Sequence, residues 1–320
     1  MIREAYHKIH AGGMLTKEEL MGLSRQPLEA LRKAADVLRR ELCGNGFDLC
    51  TIVNGKSGSC SEDCKYCAQS AFHKAEIRTY PLIPADRLLQ EALYNWKKGV
   101  LRFSIVTSGR ALEEKEVEQL CTVYKAIGTA CGIRLCASHG LLKKEQLIKL
   151  KEAGVFRYHN NLETSRRFFP QICTTHTYDE KIFTIKAAQE AGLTVCSGGI
   201  FGLGENMEDR IDLALQLREL GIRSVPINVL NPIPGTPLEG RDPLSEEEII
   251  RSIALFRFAL PQASIRLAGG RGLFSDKGKE FLQAGTNAAI TGDMLTTSGI
   301  SIREDLEMLQ TLGFEVKYNE

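Results

Sequence analysis

Leu101-Arg-Phe-Ser-Ile-Val-Thr107 decides the fold, because its polar and apolar side chains alternate strictly over its first five residues. Successive side chains of a strand point to opposite faces, so Leu101, Phe103 and Ile105 share one face and Arg102 and Ser104 the other. The alternation recurs along the chain. Ile133 and Leu135 oppose Arg134 and Cys136; Leu193 and Val195 oppose Thr194 and Cys196; Ile265 and Leu267 oppose Arg266; Val225, Ile227 and Val229 oppose Asn228. Closed into a parallel barrel, these strands would bury their apolar faces beneath an outer layer of helices and turn their polar faces inward.

Working outward, such runs are expected as strands at 49–53, 101–107, 132–137, 155–160, 193–197, 224–230, 264–268 and 288–290. Between them lie amphipathic stretches such as 84–98, 113–130, 143–153, 178–191, 207–220 and 245–260. Gly99, Gly154, Gly192 and Gly221 stand where helix C-caps should be. Strand and helix in steady alternation, without a Pro/Ser/Gly linker, predict an α/β protein of the (βα)8 TIM-barrel type spanning 49–320, with a C-terminal tail. Residues 1–48 are expected to form a helical N-terminal extension, with helix over 17–42, that covers one barrel end.

The 320 residues carry 41 Lys and Arg against 40 Asp and Glu, a net charge of +1. A charge so balanced provides no long-range attraction for nucleic acid or an acidic membrane, so neither is an expected partner. Residues 1–13 lack an apolar targeting core, and no run of about 18 apolar residues occurs, which leads us to expect a cytoplasmic protein. Ten cysteines in such a chain point to metal or redox chemistry rather than a disulfide framework.

Three of them form the motif Cys60-Ser-Glu-Asp-Cys64-Lys-Tyr-Cys67. Extended chain covers about 3.3–3.6 Å per residue, so these sulfurs can converge without help from distant sequence. They are one thiolate short of a closed tetrahedral site. Three readings follow: an iron-sulfur cluster with an open position, a structural zinc closed by Cys43 or Cys50, or redox thiols. The motif falls in the loop after the first strand, at the end of a barrel where catalytic groups gather.

Inside the barrel, Arg102, Arg134 and Arg266 face a polar lumen with Cys136 and Cys196, joined by Cys50 if its strand faces the same way. Buried guanidinium groups are costly unless an anion meets them, and an anionic cofactor, a second cluster, would meet them. Cys43, Cys121, Cys131 and Cys173 have no convergent partner in sequence and are expected to be structural or incidental. Cys196-Ser-Gly-Gly-Ile-Phe-Gly-Leu-Gly-Glu205 brings glycines to the end of the fifth strand, where a ligand could approach the backbone closely. Tyr158-His-Asn-Asn-Leu-Glu163 offers amides and a carboxylate suited to a polar ligand.

The CxxxCxxC motif with Tyr66 before its last cysteine resembles that of the radical S-adenosylmethionine enzymes. Together with the segments TVCSGGIFGLGE, SVPINVLNPIPGTPLE, 158–165, 265–271 and Leu295-Thr-Thr297, it makes nearly the whole chain similar to the biotin synthase family. The resemblance implies a 4Fe-4S cluster on Cys60, Cys64 and Cys67 whose open iron is chelated by S-adenosyl-L-methionine. It implies a 5'-deoxyadenosyl radical that abstracts hydrogen from dethiobiotin, and sulfur inserted from an auxiliary iron-sulfur cluster, 2Fe-2S or larger. Asn161 and Glu163 then belong to the ribose region, with Asn161 also reaching dethiobiotin. Gly198 and Gly199 belong to the methionyl part, and Lys181 to its carboxylate in place of a more usual arginine. Asn228 belongs to the ureido ring, and Thr296 and Thr297 to the substrate carboxylate.

Arg266 matches an arginine that ligates the auxiliary cluster in that family, with Arg102 beside it. Here the sequence departs from the pattern. Ser104 stands where a third cysteine is usual, Cys50 where a serine is, and Ala288 where a serine supports the arginine. The expectation is that Cys50 replaces the missing ligand beside Cys136 and Cys196. A flavodoxin or ferredoxin electron donor and a homodimer are further implications of the resemblance. A related radical enzyme of maturase or mutase type is the alternative on the same fold, and a non-catalytic zinc protein using Cys50, Cys60, Cys64 and Cys67 is the alternative outside it.

Overall fold

The computed structural model describes residues 1–292, 294–297 and 299–318. Its centre is a parallel sheet closed on itself. The strands are β1 (Gly46–Lys56), β2 (Arg102–Thr107), β3 (Arg134–Ser138), β4 (Val155–His159), β5 (Thr194–Cys196), β6 (Gly199–Phe201), β7 (Ser224–Val229), β8 (Ser264–Leu267), β9 (Ala288–Thr291) and β10 (Glu315–Val316). β5 and β6 are two parts of one barrel stave, interrupted at Ser197 and Gly198, and both pair with β7. Pairing of β9 with β1 closes an eight-stave ring, the (βα)8 architecture read from the alternation.

The helices are α1 (Ile2–His10), α2 (Lys17–Leu23), α3 (Leu28–Cys43), α4 (Ala85–Lys97), α5 (Glu114–Ala130), α6 (Lys144–Glu152), α7 (Tyr178–Glu190), α8 (Met207–Glu219), α9 (Glu246–Ala259), α10 (Lys279–Leu282) and α11 (Ile302–Thr311). Several begin on side-chain caps: the Thr177, Asn206 and Ser245 side chains accept from Glu180, Asp209 and Glu248 backbone N–H groups. Gly154 (φ 95°) and Gly221 (φ 67°) end α6 and α8 in the left-handed region that an L side chain disfavours. Phe103, Ile105, Leu135, Val225, Ile227, Ile265 and Leu267 are all buried, forming the outward layer between sheet and helices that the strand parity demanded.

The N-terminal segment differs from its expectation in two ways. The helix expected over 17–42 is two helices, broken before Pro27, whose ring cannot sit inside a helix without losing a hydrogen bond. Instead of covering a barrel end, α1–α3 pack along the flank made by α8 and α9. The floor is covered from the other end of the chain. β10 pairs with Gly46 and Phe47 of β1, and the Tyr318 hydroxyl donates to the Leu101 carbonyl at 3.0 Å. The guanidinium carbons of Arg134 and Arg102 lie 3.9 and 5.0 Å from the Tyr318 ring centroid. Arg134 is therefore engaged beneath the barrel and not in its lumen.

Candidate functional site

Strand register sets the lumen. Side chains in register on neighbouring parallel strands share a face, so Cys50 lies level with Arg102, and Ser104 with Cys136. Cys136 is level with Arg157, and His159 with Cys196. Pro226 is level with Arg266. Above this ring is a cavity of ≈ 310 Å³ lined by Cys50, Cys136, Cys196, Arg157, His159 and Arg266 low down, and by Tyr66, Asn161, Glu163 and Asn228 among others.

Two of the inward arginines, Arg102 and Arg266, meet a protein anion that the sequence reading did not include. Asp48, fully buried, accepts from Arg102 Nε at 2.8 Å and lies 3.0 Å from Arg266 Nη2. Burial opposes its ionisation, but the charges of Arg266 and Arg102 hold its carboxyl down at about 2. Arg266 also donates from Nη1 to the carbonyls of Asp48 and Ala289, at 2.9 and 3.0 Å. Its pKa is raised: burial disfavours the charge most, and Asp48 together with Cys50 and Cys196 more than offsets it. Arg266 lines the same cavity as Cys50, Cys136 and Cys196, at the place where the resemblance expects a ligand of the auxiliary cluster.

Cys50 and Cys136 flank Ser104 from β1 and β3, and their mutual interaction pushes the Cys136 thiol down and the Cys50 thiol up. For Cys196 burial works against ionisation, but His159, Arg157 and Arg266 draw the thiol down to about 6. Ser224 Oγ donates to its sulfur at 3.3 Å. Arg157, His159 and Asp48 were missed in the sequence. The first two obey the parity of β4, and Asp48 was lost because β1 begins at Gly46, three residues before the expected start.

The CxxxCxxC loop follows β1 at the carboxyl end of the barrel. Cys60 donates from its N–H to the Gln69 carbonyl and accepts from Ala71 N–H at 2.8 Å, and Ser70 Oγ donates to the Glu62 carbonyl at 2.6 Å. These bonds close the loop on itself. Burial pushes the thiol of Cys60 up and that of Cys67 up to about 11; Cys64 is also raised, chiefly through its contact with Cys173. Among the described residues, the ligand atoms gathered within 4.8 Å of one another are those of Cys64, Cys173 and His176, so the three motif sulfurs are spread more widely. Neither proposed fourth ligand joins them. Cys50 lies on the lumen floor, and Cys43 accepts from Arg257 Nη1 at 3.3 Å beside α9. The single-zinc readings lose their geometry, including the one drawing on Cys50.

Cys173, expected to be incidental, lies 3.7 Å from Cys64 Sγ and 3.3 Å from His176 Nδ1. A separation of 109 residues hid this contact from local spacing.

Glu163 has φ 70°, rare for a residue with a side chain. Its N–H donates to Gly198 O and its carbonyl accepts from Ile200 N–H, so the unusual backbone is clamped by β6. Oε2 of this buried side chain has no hydrogen-bond partner among the described residues, although it borders a cavity. Tyr66 beside it is pushed well above the usual phenol range, by burial first and by the Glu163 charge next. Asn161 Oδ1 accepts from Gly198 N–H at 3.0 Å. Lys181, buried on α7, donates to Asn160 Oδ1 at 3.4 Å, and its charge acts on Cys64.

A Cβ on Gly198 would lie 1.8 Å from Pro226 O, and one on Gly199 2.4 Å from Glu163 O. The chain itself requires these glycines, whatever ligand lies above them. Asn228 Nδ2 donates to Gly199 O at 3.2 Å, and its Oδ1 accepts from Gly269 N–H at 2.9 Å. One N–H and one lone pair remain for the cavity. Thr296 and Thr297 do not reach that cavity; they line an adjoining groove of ≈ 770 Å³, joined to it at Ile52 and Leu295.

The radical SAM superfamily matches residues 56–217 and the biotin and thiamin synthesis associated domain residues 226–315. The chain is 60% identical over 309 residues to a biotin synthase of Clostridium botulinum, covering 97% of each sequence. It is 57% identical over 310 residues to that of Akkermansia muciniphila, again covering 97% of each. In fold it superposes on methylornithine synthase with a TM-score of 0.85 at 20% identity, covering 98% of both chains. The FeFe-hydrogenase maturase HydG from Carboxydothermus hydrogenoformans gives 0.82 at 19%, covering 98% of this chain and 78% of that one. The last two likenesses establish the barrel alone. The first two extend along almost the whole sequence, and on that ground the chain belongs to the biotin synthase family of radical S-adenosylmethionine enzymes.

Proposed function

We propose that this chain forms biotin from dethiobiotin by radical S-adenosylmethionine-dependent sulfur insertion, with the sulfur drawn from an auxiliary iron-sulfur cluster. One observation carries the reading: the loop bearing Cys60, Cys64 and Cys67 contributes Tyr66 to a cavity whose floor carries a second set of thiols, Cys50, Cys136 and Cys196. Two thiol sets on one cavity suit a reaction that needs both a radical source and a sulfur source.

The residues fit the groups. Three thiols spread more widely than one ion requires suit a 4Fe-4S cluster, and the missing fourth thiol leaves a position for S-adenosyl-L-methionine. When bound, the cluster and S-adenosyl-L-methionine supply one-electron cleavage and hydrogen abstraction from an unactivated carbon. The unpartnered Glu163 Oε2 is an acceptor for ribose hydroxyls, with Asn161 beside it. Lys181 faces the methionyl carboxylate as a point charge. Asn228 offers its remaining N–H and lone pair to the ureido ring. Thr296 and Thr297, in the adjoining groove, take the carboxylate end of a substrate that reaches past Leu295. Ile52, Val106, Ile200, Ala268 and Ile290 make the cavity wall apolar and exclude water from the reacting carbon.

Below, Cys50 compensates for the serine at position 104 as the third thiolate of the auxiliary set. Arg266 and Arg157 balance its negative charge. Electron supply by a flavodoxin or ferredoxin and pairing as a homodimer rest on the family likeness alone.

Anaerobic incubation with dethiobiotin, S-adenosyl-L-methionine and a low-potential reductant tests the reading. Biotin is the expected product. Cleavage of S-adenosyl-L-methionine without biotin would assign the barrel to a different radical reaction.

A further inference from the structure

The underside of the barrel has an opening of its own. Among the described residues, β5 meets β7 in register only at Cys196 and Ser224, and beneath that level the chain leaves a cavity of ≈ 440 Å³. Phe156, Leu193, Val195 and Ile222 make its walls apolar, while Gln189, Thr194, Arg223 and Gln262 stand exposed around it. These residues cluster at the amino ends of β4, β5, β7 and β8, opposite the CxxxCxxC loop. The C-terminal tail covers a neighbouring part of the floor, where Tyr318 stacks on Arg134 and the Arg134 guanidinium carbon lies 4.8 Å from the Phe156 ring centroid. Phe156 thus stands between the covered and the open part.

Two buried side chains separate this cavity from the deep thiols. Arg157 lines both the lower cavity and the lumen. Ser224 lines the lower cavity and donates from Oγ to Cys196 Sγ at 3.3 Å. The Arg157 charge acts on Cys136 and Cys196, so an anion drawn to it from below arrives beside the thiol set. A guanidinium among apolar walls favours a soft, weakly hydrated anion over phosphate or sulfate, whose desolvation costs more.

We propose that the lower cavity admits hydrosulfide, a small sulfur anion, to the auxiliary set from beneath, so that the barrel has separate entrances for its organic reactants and for its sulfur. The inference rests on the proposed reaction, in which each biotin formed takes a sulfur from that set while S-adenosyl-L-methionine and dethiobiotin fill the upper cavity. Replacement is a ligand substitution without redox change: iron–sulfur bonds form, the S–H bond breaks with its proton passing to water, and the sulfur keeps its oxidation state. Arg223 at the mouth draws the anion in, and Arg157 receives it.

The test uses the full chain reconstituted with iron and sulfide, kept anaerobic and without reductant so that no turnover occurs. S-adenosyl-L-methionine and dethiobiotin are added to fill the upper cavity, followed by isotopically labelled sulfide. Labelled sulfide should still exchange into the protein, and Thr194→Trp, which fills the lower cavity, should slow that exchange by at least about 10-fold. Arg223→Glu, a substitution at an exposed position, should slow it by about 3- to 10-fold at low salt. Exchange that stops when the upper cavity is filled, unchanged rates in both variants, or no exchange in the parent would overturn the proposal. Adding the reductant afterwards separates this inference from the reaction on which it rests. Biotin carrying the label is expected, and unlabelled biotin would overturn the lower entrance. Continued exchange with no biotin would instead overturn the proposed reaction.

Discussion

Asp48 on β1 and Arg266 on β8 meet at 3.0 Å across β9, and the residue level with both of them is Ala288. The methyl group of Ala288 is small enough for the carboxylate and guanidinium to reach over it. The pair anchors the lumen floor beneath the cysteines. Removing one member of such a buried pair leaves an uncompensated charge, so Asp48→Asn should destabilise the fold by about 3–5 kcal/mol. Ala288→Leu should separate the pair and lower stability in the same direction. Denaturant unfolding of reduced, metal-free protein measures both, and a stable D48N variant would remove Asp48 from this role.

The proposed auxiliary set takes Cys50 as its third thiolate. Cys50→Ala should lower the iron and sulfide content of the reconstituted enzyme by the auxiliary share, while electron paramagnetic resonance of the first cluster is retained. Biotin formation should fall by at least about 100-fold, with S-adenosylmethionine cleavage continuing. Full iron and sulfide content with unchanged sulfur insertion would return Cys50 to a structural role.

Glu163 spends an unfavourable backbone conformation to aim a carboxylate into the cavity. Charge-assisted hydrogen bonds contribute about 1.5–3 kcal/mol, so Glu163→Gln should weaken S-adenosylmethionine binding by about 10- to 100-fold. Calorimetric titration of the reconstituted protein checks this, with iron content as the control. Unaltered affinity would mean that the unpartnered oxygen serves something else.

His139, wholly buried between Thr107 Oγ1 and the Tyr124 hydroxyl, has its pKa lowered from 6.5 to about 3 by burial. The unfolded chain takes up a proton below about pH 6.5 that the folded chain refuses until about pH 3. Stability from this group is thus complete above that range and declines as pH falls, by up to about 1.4 kcal/mol per unit. Urea midpoints between pH 7 and pH 5 should show the slope in the parent, and His139→Gln should flatten it.

Gly198 has no room for a side chain, since a Cβ would lie 1.8 Å from the Pro226 carbonyl. Gly198→Ala should cost about 3 kcal/mol or more through backbone displacement, seen as a lowered melting temperature even in metal-free protein. An unchanged melting temperature would mean that β6 and β7 separate more easily than their pairing implies.

The barrel was legible because the parity of Arg102, Arg266 and Cys196 is a local property, carried by each strand on its own. Asp48 was not, because its strand starts inside a stretch, Gly-Asn-Gly-Phe, that reads as a turn. The motif cysteines were legible from their spacing, whereas Cys173 and His176 reach Cys64 only after two loops have docked. Thr296 and Thr297 show the same limit: their residue types suit a carboxylate, but which of two adjoining spaces they line depends on Leu295 standing between them. The glycines were placed correctly and explained incompletely, since the closeness they permit is first of all to the protein's own carbonyls.

The ring of staves is closed by joining 48–51 to 288–291, and its underside is finished by pairing 46–47 with 315–316. Contacts this remote in sequence are the slow ones in folding. As the chain leaves the ribosome, β1 can pair with β2 early, but it must wait for nearly the whole polypeptide before its other edge is satisfied. The deep cysteines therefore pass through synthesis in an open half-barrel, approachable from the side that β9 later occupies.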